Sequence, residues 1–298
     1  MDALKITGLK KSFGDKKVLC GLDLTVPKHS VFGFVGKNGA GKTTTMKAIL
    51  GLLKVDDGEI FVEGEKVRYG QTPTNRFIGY LPDVPEFYGF LTAREYLRLC
   101  GESLGMDKKD VSKRSEELLA LVGLSEENHR IKGYSRGMKQ RLGIAQALLA
   151  RPKLLICDEP TSALDPVGRK EILDILLAAK EQSTVLFSTH ILSDVERICT
   201  DAAFLSEGKN ALCGKIEALT SRKKEQFSIE TTDELHAQKL IEAFDGASLS
   251  EKGAVVFSAD GDLEFSVLGF IAENRIPVRK IERGGSSLES LFMEVINK

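Results

Sequence analysis

The chain has 298 residues, of which 42% are hydrophobic and 29% charged, and its formal net charge is −1. This length suggests two domains, and the balance is ordinary for a globular protein with a substantial core. The absence of a basic excess argues against a nucleic acid or an anionic lipid surface as partner. No apolar run reaches the roughly 18–20 residues that span a bilayer, and the N-terminus has no apolar secretion segment.

The five cysteines are scattered along the chain and form no C-x-x-C pair. We therefore expect reduced thiols in the cytoplasm. The sequence gives no support to a metal cluster of Cys and His side chains. The cysteines are Cys20, Cys100, Cys157, Cys199 and Cys213.

Strands are predicted for most of the first 36 residues, with turn residues between them. A helix without Pro or Gly follows at Thr44–Leu50 and ends at Gly51. The predicted strands, of which the last two are interpreted as a pair, are Ala3–Phe13, Val18–Pro27, Ser30–Gly36, Gly58–Val67 and Ile78–Leu81.

Residues 83–149 change character and are predicted to be mostly helical. Further on, Asp165-Pro166 has the pattern of an N-cap followed by proline at the first helical position, and that helix should reach about Glu181. Since strands alternate with helices, we predict a parallel α/β core with residues 83–149 as a helical insertion. The other predicted elements are the helices Thr92–Cys100, Lys108–Val122 and Gly137–Ala150, and the strands Lys153–Cys157, Thr184–Ser188 and Ala202–Ser206.

The order of elements restarts after a charged linker at residues 221–226. We therefore predict two domains, residues 1–220 and a small α+β domain at 221–298. A simple extension of the first domain is the alternative. The elements predicted there are the strands Phe227–Glu230, Ala254–Ser258 and Val278–Glu282, and the helices Glu234–Phe244, Leu263–Glu273 and Leu288–Asn297.

The clearest motif is a phosphate-binding loop, because residues 36–44 fit G-x-x-x-x-G-K-[ST] between a predicted strand and a predicted helix. Lys42 would reach the β- and γ-phosphates of a nucleotide, and the Thr43 hydroxyl would ligate Mg²⁺. A glycine-rich turn with a solvated lysine is the alternative. The candidate nucleotide-binding residues of this loop are Gly36, Lys37, Asn38, Gly39, Ala40, Gly41, Lys42, Thr43 and Thr44.

Two carboxylates follow the short apolar strand at Lys153–Cys157. Ligands of parallel sheets bind beyond the carboxyl ends of the strands. Asp158 could hold Mg²⁺ there, and Glu159 could accept a proton from an attacking water molecule. A solvated strand end is the alternative.

Three further segments carry a family resemblance. Residues 134–141 (YSRGMKQR) resemble a signature loop of the L-S-G-G-Q type, residues 162–165 (SALD) resemble a D-loop, and His190 stands where a switch histidine is found. With the phosphate loop and the acidic strand, these motifs occur in the order seen in ATP-binding cassette (ABC) ATPases. The chain therefore resembles that family over residues 3 to about 220.

The resemblance implies a head-to-tail dimer in which each signature loop faces the γ-phosphate held by the other chain. Ser135 and Gly137 precede a predicted helix and would form this second phosphate site; an ordinary N-cap serine is the alternative. His190 would contact the γ-phosphate and hold the water and Glu159 in line, and Phe13 would stack on adenine. A structural histidine and a core phenylalanine are the alternatives.

The chain departs from the family pattern in two segments. Arg136 and Met138 replace usual residues of the signature loop, and Asp83 stands where the family usually has the Q-loop glutamine. Asp83 can offer an oxygen to Mg²⁺, but it also brings a negative charge near a polyphosphate. Asp83 is therefore a candidate metal ligand beside Thr43 and Asp158, and a carboxylate without a metal role is the alternative.

Residues 84–90 (VPEFYGF) place three aromatic side chains close together and suggest a partner surface. In the family, this region receives the coupling helices of membrane subunits; a local small core is the alternative. Residues 284–292 (GGSSLESLF) resemble the tail of the drug- and antibiotic-exporter branch, which includes bacitracin-resistance-type ATPases.

Taken with the resemblance, the sequence predicts a P-loop NTPase of the ABC ATPase type with a helical signature subdomain and a small α+β domain. It predicts a Mg²⁺-dependent ATPase subunit at the inner face of the cell membrane, in an exporter of a drug, peptide or lipid-like compound. The expected partners are a separate transmembrane permease and a second ATPase subunit, with no nucleic acid. A soluble non-transport ABC ATPase and an ATP-binding module without turnover are the alternatives.

Overall fold

A computed structural model of the chain describes residues 2–70, 73–220, 226–250, 253–258, 261–284, 288 and 291–292. The chain divides into two compact units, Met1–Ile216 and Glu217–Lys298. Linker residues 221–225 and most of the helix predicted at Leu288–Asn297 lie outside the described residues. In the part that is described, no helix is long and apolar enough to cross a membrane.

The strands of the first unit form two sheets. One is antiparallel, in the order β2-β1-β4-β5, and the other has the order β10-β9-β3-β8-β7-β6. The second sheet is parallel except for the β9–β10 pair. The strands are β1 (Asp2–Phe13), β2 (Lys16–Pro27), β3 (Val31–Gly36), β4 (Asp57–Val62), β5 (Glu65–Lys66), β6 (Ile78–Leu81), β7 (Leu154–Cys157), β8 (Thr184–Thr189), β9 (Asp201–Ser206) and β10 (Lys209–Lys215).

Several helices begin at a residue whose side chain caps the first turn. Thr92 and Glu95 form a complete capping box at the start of α2, and Asp165 caps α5 with Pro166 behind it. The helices are α1 (Lys42–Ile49), α2 (Ala93–Ser103), α3 (Lys108–Leu121), α4 (Arg136–Leu148), α5 (Pro166–Ala179), α6 (Leu192–Ile198) and α7 (Ile216–Thr220), with short 3-10 helices at Pro73–Phe77 and Ile131–Gly133.

A shared hydrophobic core joins the two sheets and α1. Buried side chains from the antiparallel sheet, such as Leu4, pack in one cluster with Phe32 and Phe34 of β3 and with Met46 and Ile49 of α1. Since α1 is buried along one side, its position is fixed against the sheet. The loop between β3 and α1 is therefore held at both ends by elements of the core.

The predicted pairing of the strands around Gly58–Val67 and Ile78–Leu81 is wrong. β4 pairs with β1, whereas β6 pairs with β7 in the other sheet. The physical reason is close packing: a Cβ added to Gly79 would lie 2.2 Å from the carbonyl oxygen of Ala147, so β6 lies directly against α4. The helices α6 and α7 and the strand β10 were not predicted from the sequence.

The second unit has its own sheet and core. Its antiparallel sheet has the order β12-β13-β11-β14, and its core contains Phe227 stacked on Phe257 at 4.8 Å between ring centroids, together with Leu240 and Val267. The elements are β11 (Gln226–Thr231), β12 (Ser248–Leu249), β13 (Val255–Ser258), β14 (Val278–Gly284), α8 (Glu234–Ala243) and α9 (Gly261–Glu273).

Candidate active site

The start of α1 is open for an anion. Gly41 is the N-cap residue, at φ 111°, and it has no side chain that could satisfy the N–H groups of the first helical turn. A Cβ at Gly41 would lie 2.8 Å from Cδ2 of Leu19, so only glycine fits. Gly39 also has a positive φ, of 83°. The loop therefore directs unpaired N–H groups and the positive end of the helix dipole to one place.

Lys42 is buried and turned back across the loop. Its Nζ donates to the carbonyl oxygens of Gly36, at 2.6 Å, and Lys37, at 3.3 Å. Nζ also lies 3.0 Å from Oε1 of Glu159. All three partners are oxygen acceptors. Phosphate oxygens of a nucleotide can therefore replace them around the Lys42 ammonium.

The carboxyl ends of three adjacent parallel strands deliver acidic and polar side chains to the same edge of the sheet. Asp158 follows β7, and its N–H donates to the carbonyl of Leu81, the last residue of β6, at 2.8 Å. The hydroxyl of Thr43 donates to Oδ2 of Asp158 at 2.7 Å. The hydroxyl of Ser188, in β8, donates to Oδ1 of the same carboxylate at 2.6 Å. Asp158 is therefore fixed from two sides.

Glu159 has an uncommon backbone conformation and three charged or polar partners. Its φ is 47°, in the left-handed region that costs a non-glycine residue energy and often marks functional sites. Its N–H donates to the hydroxyl of Ser188 at 2.9 Å, which helps to hold this conformation. Oε2 lies 2.9 Å from Nδ1 of His190. Glu159 thus connects Lys42 on one side with His190 on the other.

A cavity of about 340 Å³ lies beside these groups. It joins the phosphate loop to Asp83 and Glu159, and it includes Ser162, which the sequence placed in the D-loop. We call it the phosphate cavity. Its lining residues are Asn38, Gly39, Gly41, Lys42, Thr43, Thr44, Asp83, Glu159 and Ser162.

Other predicted site residues lie outside that lining. Ser135 is the N-cap of α4 and accepts from the N–H of Met138 at 3.2 Å, while Gly137 lies in the first turn of that helix. Phe13 is 51% exposed at the end of β1, with Nζ of Lys11 5.3 Å from its ring centroid. Neither the start of α4 nor Phe13 lines the phosphate cavity of the same chain.

Asp83 contacts α4 by both its side chain and its backbone. Oδ1 lies 3.6 Å from Nη2 of Arg136, and its carbonyl oxygen accepts from Nε2 of Gln140 at 2.7 Å. Burial is the main cause that raises the pKa of Asp83; Arg136 acts in the opposite direction, and the carboxylates of Asp158 and Glu159 add to the increase. Burial, followed by the charge of Asp158, also raises the pKa of Tyr80 to about 12.

A second cavity, of about 440 Å³, also has Asp83 in its lining. We call it the aromatic groove, and its lining residues are Asp83, Val84, Pro85, Glu86, Phe87, Gly89, Ile131, Lys132, Arg136 and Lys139. Close to it, Tyr88 and Phe90 are 57% and 66% exposed, with ring centroids 5.9 Å apart. Phe87 instead packs edge-on against Tyr96, so part of the predicted aromatic patch forms a local core.

The donor set at the phosphate cavity fits Mg²⁺ bound together with a nucleotide. Magnesium prefers oxygen ligands and usually takes one or two protein groups beside water and substrate phosphates. The Thr43 hydroxyl and the Asp158 carboxylate, already in contact, provide such a pair. Among the described residues, no group of three or more His, Cys, Asp or Glu side chains could hold a metal by itself.

Sequence reasoning missed two supporting residues. Ser188 bridges Asp158 and Glu159, and Gln140 holds the Asp83 backbone. The sequence did carry a signal for Ser188: it is a polar residue directly after the apolar run 185–187 and two positions before His190. Gln140 lies in a helix 57 positions from Asp83, and only the tertiary structure brings the two together.

This fold and this site define an ATP-binding cassette. A model of the ABC transporter family matches residues 19–162. The chain is 36% identical over 307 residues to the ABC transporter ATP-binding protein YxlF of Bacillus subtilis (strain 168), covering 99% of each protein. It is 37% identical over 300 residues to the bacitracin transport ATP-binding protein BcrA of Bacillus licheniformis, covering 98% of this chain and 97% of that protein.

A solved ATP-binding subunit of an ABC transporter superposes with a TM-score of 0.64 at 31% identity, covering 74% of this chain and 92% of that one. The chain therefore belongs to the ABC transporter family and is an ATP-binding protein of that family. Family membership implies ATP hydrolysis. It also confirms the predicted ABC ATPase fold.

Proposed function

We propose that this chain is a Mg²⁺-dependent ATPase subunit of an ABC exporter for a drug, peptide or lipid-like compound. The observation that carries the proposal is the chain of contacts Thr43–Asp158 and Lys42–Glu159–His190 beside the phosphate cavity. BcrA, similar along almost the whole chain, is a bacitracin transport protein, and this supports the exporter class.

The loop amides and Lys42 bind the triphosphate, with Lys42 exchanging its present acceptors for phosphate oxygens. Thr43 and Asp158 hold Mg²⁺, which supplies positive charge against the phosphate oxygens. Glu159 accepts a proton from the water that attacks the γ-phosphorus, and the bond from that phosphorus to ADP breaks. His190 keeps the Glu159 carboxylate oriented and reaches the γ-phosphate.

Glu159→Gln tests the catalytic base. The substitution keeps the size of the side chain but removes its ability to take a proton, so we expect kcat to fall by about 10²–10⁴ while ATP affinity changes little. Steady-state phosphate release and equilibrium ATP binding measure the two effects. Glu181→Gln changes an exposed carboxylate and serves as the control. Equal turnover of Glu159→Gln and the parent chain would remove the proposed base.

The second half of the nucleotide site comes from another ATPase subunit. Ser135 and Gly137 begin α4 outside the phosphate cavity of their own chain, and the positive end of a helix dipole suits a phosphate of a facing chain. The working form would thus be a head-to-tail dimer closed by ATP. This geometry belongs to the family resemblance and is a proposal for this chain.

Ser135→Ala separates the dimer role from helix capping. Removal of either N-cap, Ser135 or Thr92, should cost about 1 kcal/mol of stability. Only Ser135→Ala should weaken ATP-driven dimerisation, by about tenfold, in the Glu159→Gln background. Sedimentation with and without ATP measures the effect. Equal dimerisation of the two cap variants would contradict the role given to Ser135.

We propose that the aromatic groove with Val84, Tyr88 and Phe90 receives a separate transmembrane permease, which would place the ATPase at the inner face of the cell membrane. All three side chains are more than half exposed, and apolar side chains at the centre of an interface carry much of its binding energy.

Phe90→Ala should weaken copurification with the permease about tenfold and leave ATP binding unchanged. Tyr69→Ala is the matched control, because Tyr69 is similarly exposed but does not line the aromatic groove. Equal recovery of the permease with Phe90→Ala and with Tyr69→Ala would contradict the assignment.

A further inference from the structure

The two departures from the family pattern lie next to each other. Asp83 stands at the glutamine position of the Q-loop and Arg136 at a glycine-type position of the signature loop. Nη2 of Arg136 lies 3.6 Å from Oδ1 of Asp83. The chain thus carries an unusual anion and an unusual cation, and the fold brings them into an ion pair.

Asp83 also lies between the two cavities. It lines both the phosphate cavity and the aromatic groove, whereas Arg136 lines only the groove. Oδ1 of Asp83 is buried and has no hydrogen-bond partner within normal distance. Gln140 holds the Asp83 backbone from α4, and Arg136 of the same helix places its guanidinium beside the buried oxygen.

The charge balance of the phosphate cavity makes a counter-charge necessary. Asp158 and Glu159 already bring two carboxylates to the edge of the sheet, and the Lys42 ammonium is paired with Glu159. A third carboxylate without a partner would repel a bound triphosphate, because the buried Oδ1 of Asp83 is less screened by salt than a fully exposed charge. A glutamine at position 83 would create no such repulsion.

We propose that Arg136 is a positioning residue that supplies the counter-charge of Asp83 and so permits a carboxylate in the wall of the phosphate cavity. This inference rests on the proposed ATPase function. Without Arg136, Asp83 repels the nucleotide and attracts Mg²⁺. Nucleotide affinity without Mg²⁺ then falls, and its enhancement by Mg²⁺ grows.

A double-mutant cycle on the full chain tests the pair. Titration calorimetry measures the affinity for a non-hydrolysable ATP analogue, once with EDTA and once with Mg²⁺. We expect Arg136→Ala to weaken binding in EDTA by about three- to tenfold, the range for a partly exposed ion pair beside a charged ligand. In the Asp83→Asn background, the same substitution should change binding by less than about twofold. The enhancement by Mg²⁺ should be larger in Arg136→Ala than in the parent chain.

Lys139→Ala is the matched control, since it removes a cation of the same groove one turn further along α4. It should change nucleotide affinity by less than about twofold. An equal loss for Arg136→Ala in both backgrounds would overturn the proposal, because the effect would then not depend on Asp83. A parent chain that binds no nucleotide would instead refute the proposed ATPase function.

Asp83→Asn keeps the test decisive if Arg136→Ala does not fold. This variant removes from the cavity wall a carboxylate whose charge Arg136 offsets only in part, so the analogue should bind more tightly in EDTA and gain less from Mg²⁺. Thermal denaturation checks that both variants are folded. Unchanged affinity under both conditions would overturn the pairing of Asp83 with Arg136.

Discussion

Ser188 shows how one hydroxyl can support two functional carboxylates. Its Oγ donates to Asp158 and accepts from the N–H of Glu159. The residue is fully buried, so both contacts lie in a region where unpaired polar groups are costly. It holds the candidate metal ligand in place and stabilises the strained conformation of the candidate base.

Ser188→Ala should therefore harm both stability and catalysis. An unpaired oxygen of Asp158 costs about 1–3 kcal/mol, and loss of its orientation should lower kcat by about tenfold or more. Urea unfolding and phosphate release measure the two effects. Ser183→Ala is the matched control, because this buried serine donates to the carbonyl of Pro152 away from the site. Ser183→Ala should lose stability but keep the kcat of the parent chain. Equal kcat values for Ser188→Ala and Ser183→Ala would contradict the role of Ser188.

At the scale of elements, the phosphate cavity depends on the junction between β3 and α1. The strand and the helix are both packed into the same hydrophobic core, and the glycines of the intervening loop supply its positive φ values. The shape of the loop is thus set by local glycine chemistry, while its position is set by burial of the flanking elements.

Gly41→Ala should disrupt this junction. The added Cβ would meet Leu19 at 2.8 Å in addition to the strain of φ 111°, so we expect nucleotide affinity to fall by at least about tenfold. Gly64→Ala is the matched control: its φ is 81°, but its Cβ would have no atom within 4 Å. That control should lose about 1 kcal/mol of stability and keep nucleotide affinity. Calorimetry and thermal denaturation distinguish the variants, and normal nucleotide binding by Gly41→Ala would contradict this account.

At the scale of the whole molecule, the chain contains two units with separate cores. The site described above lies entirely in the first unit. The second has its own four-stranded sheet, with the stacked pair Phe227–Phe257 at its centre. Cores that share no side chains can unfold in separate steps.

Phe257→Ala should therefore destabilise the second unit by about 3–5 kcal/mol through cavity formation, and nucleotide affinity should change by less than about twofold. Scanning calorimetry should show one transition shifted to lower temperature and the other unmoved. Phe265→Ala, at a side chain that is 78% exposed, is the control and should shift neither. A shift of both transitions by Phe257→Ala would show that the two units unfold together.

Much of this protein was predictable because its signals are local. The phosphate loop between a strand and a helix, the apolar strand before Asp158, and the Asp165-Pro166 helix start all depend on neighbouring residues. The pairing of strands was less accessible, and one predicted pair was wrong. Pairing depends on which faces are buried by distant segments, as the contact of Gly79 with Ala147 illustrates.

The sequence by itself determined the residue types that phosphate and magnesium chemistry require, and the strand and helix ends that present them. Only the tertiary structure decided that Ser188 supports Asp158 and Glu159, that Arg136 lies beside Asp83, and that the start of α4 stays outside the phosphate cavity of its own chain. The physical reason is the separation along the sequence. Backbone conformation follows from adjacent residues. The contacts Ser188–Asp158 and Arg136–Asp83 join side chains 30 and 53 positions apart, so they form only when the sheet and α4 pack together.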